Sequence, residues 1–486
     1  MVSTYELGHQ PLGAASAAAA LLDAGHKVRC VDVAVDVLDP SDVDWAERVA
    51  LSVPMHTAMR LALRVAETIR ARRPGLPLCF FGLYAGTGRD LTVTAPADAR
   101  IAGEYETGLV AWAAGGDPGA AIQIKRSTSP IPTREHLPEL RRYTRLAVAV
   151  AGDERLVGSV AASRGCSHRC RHCPVPVVYD GRVRPVDHDT VLADIDHLVA
   201  AGARHISFAD PDFLNAPHHS RRVIASVHRR HPDITFDATI KVEHLLRQPD
   251  ALPELAAAGC VFVVSAFESV NDATLQRLDK GHTVADASRA VIALRSHGVE
   301  VRPSWLPFTP WTTVDDLVDL MDFVIAHDLV ANVDPVQYSI RLLVPDGSLL
   351  LGEPAMTAHL GAYDPTRLDV DTPRSRRGPP PARHRRAGRG TRRPGTAVDL
   401  RRDRCPRVPP CGHVTTPPRP RVGIDGTGRA PGAPDRAVVL LRRAHRGAAR
   451  PPPRAGLTLR RPAVQHGGPA DDEQRPSHRA GRRSVL

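Results

Sequence analysis

Three cysteines lie within eight residues of one another near the middle of the chain. Cys166, Cys170 and Cys173 have the spacing C-x3-C-x2-C and follow an apolar run that predicts a strand over 157–162. Thiolates packed this closely repel one another unless a cation lies between them, so we expect a metal site. Eight cysteines in 486 residues are too few for a disulfide scaffold, which favours a reducing compartment.

Two kinds of metal suit this spacing. A structural zinc site needs a fourth protein ligand, which His168 or His172 could supply. A ferredoxin-type iron–sulfur cluster needs four cysteines, and the next one, Cys260, lies inside an apolar predicted strand. Three cysteines on a four-iron cluster would leave one iron open for chemistry on a substrate. Both interpretations stay open on spacing alone.

The segment around and after the cysteines alternates strands with helices. The predicted strands are 157–162, 205–209, 234–240, 260–267, 299–306 and 337–343, and helices are predicted at 188–201, 216–230, 251–258, 284–297 and 313–327. Six such units predict a partial (β/α)6 barrel with its site at the carboxyl ends of the strands.

Several polar or aromatic side chains fall at those strand ends. They are Asp210 and Asp212, Glu268 and Ser269, Lys280, and the segment Trp305 to Pro307. Each also has a local explanation. An aspartate can cap the next helix, Lys280 with Gly281 can end a helix, and Trp305 can pack in the core.

The first 150 residues predict a second α/β domain. Strands are expected at 28–33, 48–53 and 78–83, with helices at 13–24 and 56–73. This alternation indicates a doubly wound, Rossmann-like sheet, whose ligands bind beyond the carboxyl ends of its strands. The candidate residues at that edge are Ser52, His56, Gly82 and Tyr84. No glycine-rich dinucleotide or P-loop pattern is present, and His56 has a local explanation at a helix start.

The cysteine spacing after a first strand resembles the radical S-adenosylmethionine (SAM) superfamily. In that family three cysteines hold a [4Fe–4S] cluster, the open iron chelates the amino and carboxyl groups of SAM, and reduction yields a 5′-deoxyadenosyl radical. The resemblance implies that Asp210 or Asp212 contacts the SAM ammonium, that Glu268 and Ser269 contact the ribose, and that Lys280 contacts the carboxylate. It also implies that His172 and the Trp305–Pro307 segment lie near the adenine. It also implies an electron donor of the flavodoxin or ferredoxin type.

A doubly wound domain before such a barrel resembles the cobalamin-binding radical SAM proteins. Gly103 and Glu104 open a G-E-x-E turn like that of their N-terminal domains, and 53–56 and 82–85 are similar too. The chain is also similar to a subgroup that ends in a Cys-Cys-Ala-Glu-Pro or selenocysteine tail, which is absent here. The D-x-H-x-x-G cobalamin motif is missing from residues 1–150, so cobalamin binding stays open.

The composition changes sharply after residue 371. Residues 372–486 hold 28 of the 64 Arg and Lys residues, 7 of the 53 acidic residues and 19 of the 44 prolines. Such a segment cannot bury a core, so we expect a disordered tail. It is either a genuine arm or, as we favour, the out-of-frame product of a GC-rich gene. The remainder carries 36 basic and 46 acidic residues, which argues against specific nucleic-acid binding.

Four segments are therefore predicted: a cobalamin-binding-like domain (1–150), a radical SAM partial barrel (151–350), a C-terminal remnant (351–371) and the tail (372–486). The longest apolar stretch, 12–22, is shorter than the roughly 20 residues of a membrane helix, and no signal peptide is expected, so we place the protein in the cytoplasm. The expected function is a radical SAM enzyme acting on an unknown small molecule or peptide, with cobalamin-dependent methylation as one outcome. The alternatives are a zinc-stabilised binding protein and an inactive frameshifted product.

Overall fold

A computed structural model describes residues 1–86, 97–148, 154–345, 347–364, 369–370 and 439–442 of the chain. All of them belong to the first of two compact units, which spans Met1–Ala444. Apart from 439–442, the predicted tail lies outside the described residues. No helix in the described ranges is both long enough and apolar enough to cross a membrane.

The N-terminal domain is a six-stranded parallel sheet with helices on both faces. Its strands are β1 (Val2–Ser3), β2 (Val31–Asp32), β3 (Val49–Ser52), β4 (Leu78–Phe81), β5 (Ala99–Gly103) and β6 (Ile122–Gln123), and its helices are α1 (Leu12–Asp23), α2 (Pro40–Trp45), α3 (His56–Arg72) and α4 (Glu106–Ala113). The spatial order is β2-β1-β3-β4-β5-β6. This order confirms the predicted doubly wound topology.

Alternation along the buried strands explains why both faces of this sheet are covered. Phe80 packs with Met59 and Ile69 of α3, whereas its neighbour Phe81 points to the opposite face and packs with Leu109 of α4. Successive residues of a strand face opposite sides, so a strand that is apolar throughout needs a helix layer on each side. Cys79 is buried in this core.

The second part of the chain forms the partial barrel. Its strands are β7 (Arg145–Val148), β8 (Glu154–Val160), β9 (Ser163–Gly165), β10 (Val183–Pro185), β11 (His205–Phe208), β12 (Thr235–Thr239), β13 (Cys260–Glu268) and β14 (Glu300–Trp305). Its helices are α5 (Val175–Tyr179), α6 (His188–Ala200), α7 (Pro217–Arg230), α8 (Val242–Arg247), α9 (Ala251–Ala257), α10 (Asp272–Arg277), α11 (Val284–Ser296), α12 (Val314–Ala326) and α13 (Pro354–Thr357). Three short strands follow: β15 (Tyr363–Asp364), β16 (Asp369–Val370) and β17 (Val439–Arg442).

The large sheet has the order β14-β13-β12-β11-β8-β7-β17. Strands β8 and β11 to β14 pair in parallel, and β7 runs antiparallel to β8. Helices α6, α7, α9, α11 and α12 bury their apolar sides against one face of it in a single core. All five parallel strands therefore end at the same edge, where a barrel of this kind carries its site.

The sixth predicted strand, 337–343, is wrong as a strand. Residues Pro335–Ser339 form a short 3-10 helix, and the only pairing described nearby is one parallel bridge between Phe308 and Arg341. A proline at the start of this segment removes a backbone donor and favours a helical turn. The described half-barrel thus has five hydrogen-bonded parallel strands, with the sixth position reduced to a bridge.

Candidate active site

The three cysteines lie in one loop at the carboxyl end of β8. The loop is framed by the antiparallel pair β9–β10, which the sequence analysis missed, and by the short helix α5. Gly165, just before the first cysteine, has φ +74°, and a Cβ there would lie 2.2 Å from the Arg182 carbonyl oxygen. Glycine is therefore required for the chain to turn from β9 into the loop.

The cysteines are free thiols in a largely apolar setting. Cys170 is buried and the other two are half-buried. Burial raises the pKa of Cys166 and raises that of Cys173 to about 12. A cation that binds these sulfurs must therefore displace their protons, as metal ions do at cysteine sites.

Asn215 fastens the loop to the end of β11. Its Oδ1 accepts hydrogen bonds from the Ser167 backbone N–H (3.2 Å) and from the Ser167 hydroxyl (2.8 Å), and the Cys166 Sγ lies 3.7 Å away. The Asn215 Nδ2 is buried and makes no hydrogen bond. One side of this amide thus holds the loop and the other is available to a ligand.

Asp210 has a local role in the structure. Its two carboxylate oxygens accept from the Ala162 backbone N–H (2.9 Å) and the Ser163 hydroxyl (2.6 Å), so the side chain ties the turn after β8 to the end of β11. Burial raises the pKa of Asp210 to about 7. Both oxygens are therefore committed to the fold.

Asp212 is different because one of its oxygens faces two histidine rings rather than a backbone or hydroxyl donor. Oδ1 accepts from the Leu214 backbone N–H (3.2 Å), as a helix-capping aspartate does. Oδ2 is buried and forms an ion-pair contact of 2.8 Å with the Nδ1 of His244. Together with His168, these two side chains form a group that could hold a cation.

Sequence reasoning missed three residues here: His244, which belongs to this group, and Lys241 and Glu243 beside it. The Lys241 Nζ donates to Glu243 (2.9 Å) and contacts the His168 Nδ1 (3.0 Å), whose Nε2 lies 3.2 Å from His244. Burial, and then the Lys241 charge, lower the pKa of His168 to about 4. These residues follow the third barrel strand, so the rule that strand ends carry the site could have identified them.

Glu268, His172 and Lys280 form a second cluster beside the cysteines. The Glu268 Oε1 lies 3.1 Å from the His172 Nε2 and 3.2 Å from the Lys280 Nζ. Glu268 has φ +65° at a register shift near the end of β13, which turns its side chain toward the loop. Burial alone would raise the pKa of Glu268, but Lys280 and His172 outweigh it and lower the value to about 2. The carboxylate is therefore ionised at neutral pH.

The remaining predicted barrel residues have more local contacts. The Ser269 hydroxyl accepts from the Asn271 backbone N–H (3.1 Å) before α10. Trp305 packs edge-on against Phe267 and Phe323, and its indole N–H is buried without a hydrogen-bond partner. Pro307 is buried two residues beyond the end of β14.

The predicted N-terminal residues lie at the carboxyl edge of the first sheet. Ser52 ends β3, Gly82 follows β4 with φ +108°, and the His56 ring meets Tyr84 edge-on at 6.0 Å. Gly103 has φ +83°, and a Cβ there would lie 2.1 Å from the Gln123 carbonyl oxygen. These residues thus lie along one edge of the sheet in the N-terminal domain, whereas the cysteines lie in a loop of the barrel.

A pocket of about 220 Å³ lies between this edge and the barrel. Its lining includes Gly13, Ser16 and Tyr105 from the N-terminal domain and Arg164, Tyr179 and Pro211 from the barrel. The Glu104 carboxylate is buried beside it and accepts from the Tyr179 hydroxyl at 3.1 Å.

The donor set at the barrel edge suits an iron–sulfur cluster and a polar ligand. Three cysteine sulfurs share one loop. The buried His172 Nδ1 and Asn215 Nδ2 beside them make no hydrogen bond, and neither does the Trp305 Nε1 at the end of β14. Leaving such atoms unpaired costs about 1–3 kcal/mol each, so their concentration here indicates a site built for a bound group.

The comparisons with known proteins agree with this geometry. Residues 160–324 match the model of the radical SAM superfamily. The chain is 23% identical over 367 residues to the anaerobic magnesium-protoporphyrin IX monomethyl ester cyclase of Synechocystis sp., covering 69% of this chain and 70% of that protein. It is 24% identical over 176 residues to the bacteriochlorophyllide d C-8(2)-methyltransferase of Chlorobaculum tepidum, covering 34% of this chain and only 38% of that enzyme.

Two solved structures share the fold at low identity. The radical SAM methyltransferase TsrM of Kitasatospora setae, with cobalamin and a [4Fe–4S] cluster bound, has a TM-score of 0.52 and 18% identity over 67% of this chain and 70% of that one. OxsB, a cobalamin-dependent SAM radical enzyme with aqua-cobalamin and SAM bound, has a TM-score of 0.55 and 14% identity. The match covers 76% of this chain and 63% of that one. With the cysteine loop at the carboxyl edge of a curled parallel sheet, residues 160–324 form a radical SAM domain.

Proposed function

We propose that this protein is an enzyme that cleaves SAM reductively and uses the product to modify an organic substrate. The observation that carries the proposal is the loop of three free cysteines, which lies among buried polar atoms without partners at the strand ends of the half-barrel. Cys166, Cys170 and Cys173 would hold a [4Fe–4S] cluster. When bound, that cluster supplies the electron that splits SAM into methionine and a 5′-deoxyadenosyl radical.

The chain's own residues would orient SAM. Asp212 offers a buried carboxylate oxygen whose nearest contact is the His244 ring, and a carboxylate suits the SAM ammonium. Glu268 is ionised and therefore only accepts hydrogen bonds, which suits the two ribose hydroxyls. The Trp305 indole N–H is a free donor at the end of β14.

Lys280 interacts electrostatically with both Glu268 and the cysteine loop. It is buried, and burial would lower its pKa, but Glu268 and the nearby Cys170 and Cys173 raise it. Its ammonium group thus stays charged beside the sulfurs and favours their ionised form. We infer that Lys280 stabilises two kinds of anion, the Glu268 carboxylate and the thiolate ligands.

We also propose that the N-terminal domain binds cobalamin at the carboxyl edge of its sheet, and that the reaction is then a methylation. The support is the doubly wound strand order and the likeness to TsrM and OxsB. The pocket of about 220 Å³ at this edge is smaller than the pockets of about 300–1,000 Å³ that hold drug-sized ligands. A corrin ring therefore requires the edge and the barrel to move apart. Retention of cobalamin absorbance after gel filtration would test this binding.

The decisive experiment uses the full chain, reconstituted under anaerobic conditions with iron and sulfide. We expect 5′-deoxyadenosine after addition of SAM and a flavodoxin-type or chemical reductant, and its loss in Cys166→Ala. Cys260→Ala is the matched control because Cys260 is a buried core residue of β13. One zinc per chain, with neither iron nor sulfide, would overturn the proposal in favour of a zinc-stabilised binding protein. Dependence on a reductant fits the cytoplasmic location that we expect.

A further inference from the structure

Both ends of the cysteine loop are attached to the N-terminal domain. The strand that enters the loop, β9, has three residues, and the helix that leaves it, α5, has five. Elements this short do not hold their own conformation without tertiary packing. The geometry of the loop therefore depends on what these two elements contact.

Arg164, two residues before Cys166, makes the first attachment. Its guanidinium donates to both carboxylate oxygens of Glu106, at 3.0 and 2.5 Å, and lies 3.6 Å from Glu104. It also stacks over the Tyr105 ring at 5.1 Å. The side chains of both glutamates are only 4% exposed. A planar guanidinium held at both nitrogens has one orientation, so this pair fixes the direction of β9.

Helix α5 makes the second attachment. Its apolar side chains belong to the core of the first sheet, where Val175, Val178 and Tyr179 pack with Leu51, Val53, Ala85 and Ala102. The Tyr179 hydroxyl donates to the Glu104 Oε1 at 3.1 Å. Cys166 and Cys173 themselves pack against the edge of this core.

We propose that Arg164 and Tyr179 are positioning residues through which the G-E-x-E turn of the N-terminal domain holds the cysteine loop in the geometry that the cluster needs. This inference rests on the proposed function for its meaning, but the attachment can be tested without any cofactor. Because protein interiors are close-packed, a shift of this turn is transmitted to the loop rather than absorbed. The turn's two carboxylates are accordingly committed to Arg164 and Tyr179.

The test uses the full chain with Arg164→Met and Tyr179→Phe. Arg134→Met is the matched control, since Arg134 donates to both oxygens of Asp194 (3.0 and 2.8 Å) and is similarly buried, but its other bonds go to Gln10 and the Ser159 carbonyl. The first measurement is hydrogen exchange of residues 166–174 in the cofactor-free chain. The second is the electron paramagnetic resonance spectrum of the reduced cluster, with and without SAM, alongside iron content.

We expect roughly tenfold or faster exchange of the loop in Arg164→Met, a smaller increase in Tyr179→Phe, and no increase specific to the loop in Arg134→Met. At equal iron content, the SAM-induced change in the spectrum should be lost or reduced in the first two variants only. Loop exchange in both variants equal to that of Arg134→Met overturns the inference. If Arg164→Met does not fold, Tyr179→Phe decides, because it removes a single hydroxyl. A wild-type chain that takes up no cluster would refute the proposed function, while the exchange measurement would still test the attachment.

Discussion

Asp210 and Asp212 are two residues apart, yet the structure gives them different tasks. Asp210 uses both oxygens to hold the turn after β8, whereas one buried oxygen of Asp212 contacts only the His244 and His168 rings. A hydrogen bond to a charged group contributes about 1.5–3 kcal/mol. We therefore expect Asp212→Asn to weaken SAM binding about 10- to 100-fold and Asp210→Asn to change it less than about threefold. Equilibrium binding of SAM to the cluster-loaded chain measures both, and equal losses would contradict this assignment.

Asp210 also gives a prediction about pH. Burial raises its pKa to about 7, against about 3.9 in an unfolded chain. The folded state then holds a proton that the unfolded state releases, so the stability from this group is complete below about pH 4 and declines as the pH rises toward 7. Urea unfolding at several pH values should show this decline, and Asp210→Asn should flatten it. An identical pH profile in the variant would show that Asp210 does not titrate in this range.

At the residue scale, sequence reasoning succeeded where the chemistry is local. Cysteine spacing identifies a metal-binding loop without any knowledge of the fold. The contact of His168 with His244 spans 76 positions, and the pair of Arg164 with Glu106 spans 58. No periodicity connects such residues, because the sheet and its crossovers bring them together.

At the scale of elements, the antiparallel pair β9–β10 depends on one glycine. Gly165 and Gly298 have nearly the same positive φ, +74° and +75°, but a Cβ at Gly165 meets the Arg182 carbonyl at 2.2 Å whereas one at Gly298 meets nothing within 4 Å. Gly298→Ala should therefore cost only the left-handed strain of about 1–2 kcal/mol. Gly165→Ala should cost clearly more and reduce iron loading. Urea unfolding of the two variants separates crowding from strain, and equal losses would show that the strand pair relaxes freely.

Long helices were predicted within a few residues, whereas the shortest strands beside the site were missed. Helices α6, α7, α11 and α12 match their predicted ranges closely, because 13 or 14 residues with an apolar face give a clear period. Strands β9 and β10 have three residues each, which is too short for alternation to be recognised. The segment 337–343 alternates like a strand but folds as a 3-10 turn after Pro335. Local pattern thus predicts the scaffold better than the elements that frame the site.

At the scale of the whole molecule, the described part of the predicted tail makes one strand pairing with the rest of the chain. Residues 439–442 form β17, which pairs antiparallel with β7 at the edge of the large sheet. The three cysteines and the side chains proposed to bind SAM all lie between residues 160 and 324. The described part of the tail, β17, therefore contacts the large sheet at its β7 edge and contributes none of these side chains.

Removal of the tail should show whether it helps to build the site or only covers the edge of the sheet. In a chain that ends at residue 371, we expect iron loading and SAM cleavage within about twofold of the full chain, because every proposed ligand is retained. The outer edge of β7 would lose its partner, and unpaired strand edges promote association between chains. Light scattering should therefore show more self-association of the shortened chain, and Ala147→Lys, which places a charge on β7, should reduce it. Loss of cluster binding in the shortened, monomeric protein would instead show that residues 372–486 help to build the site.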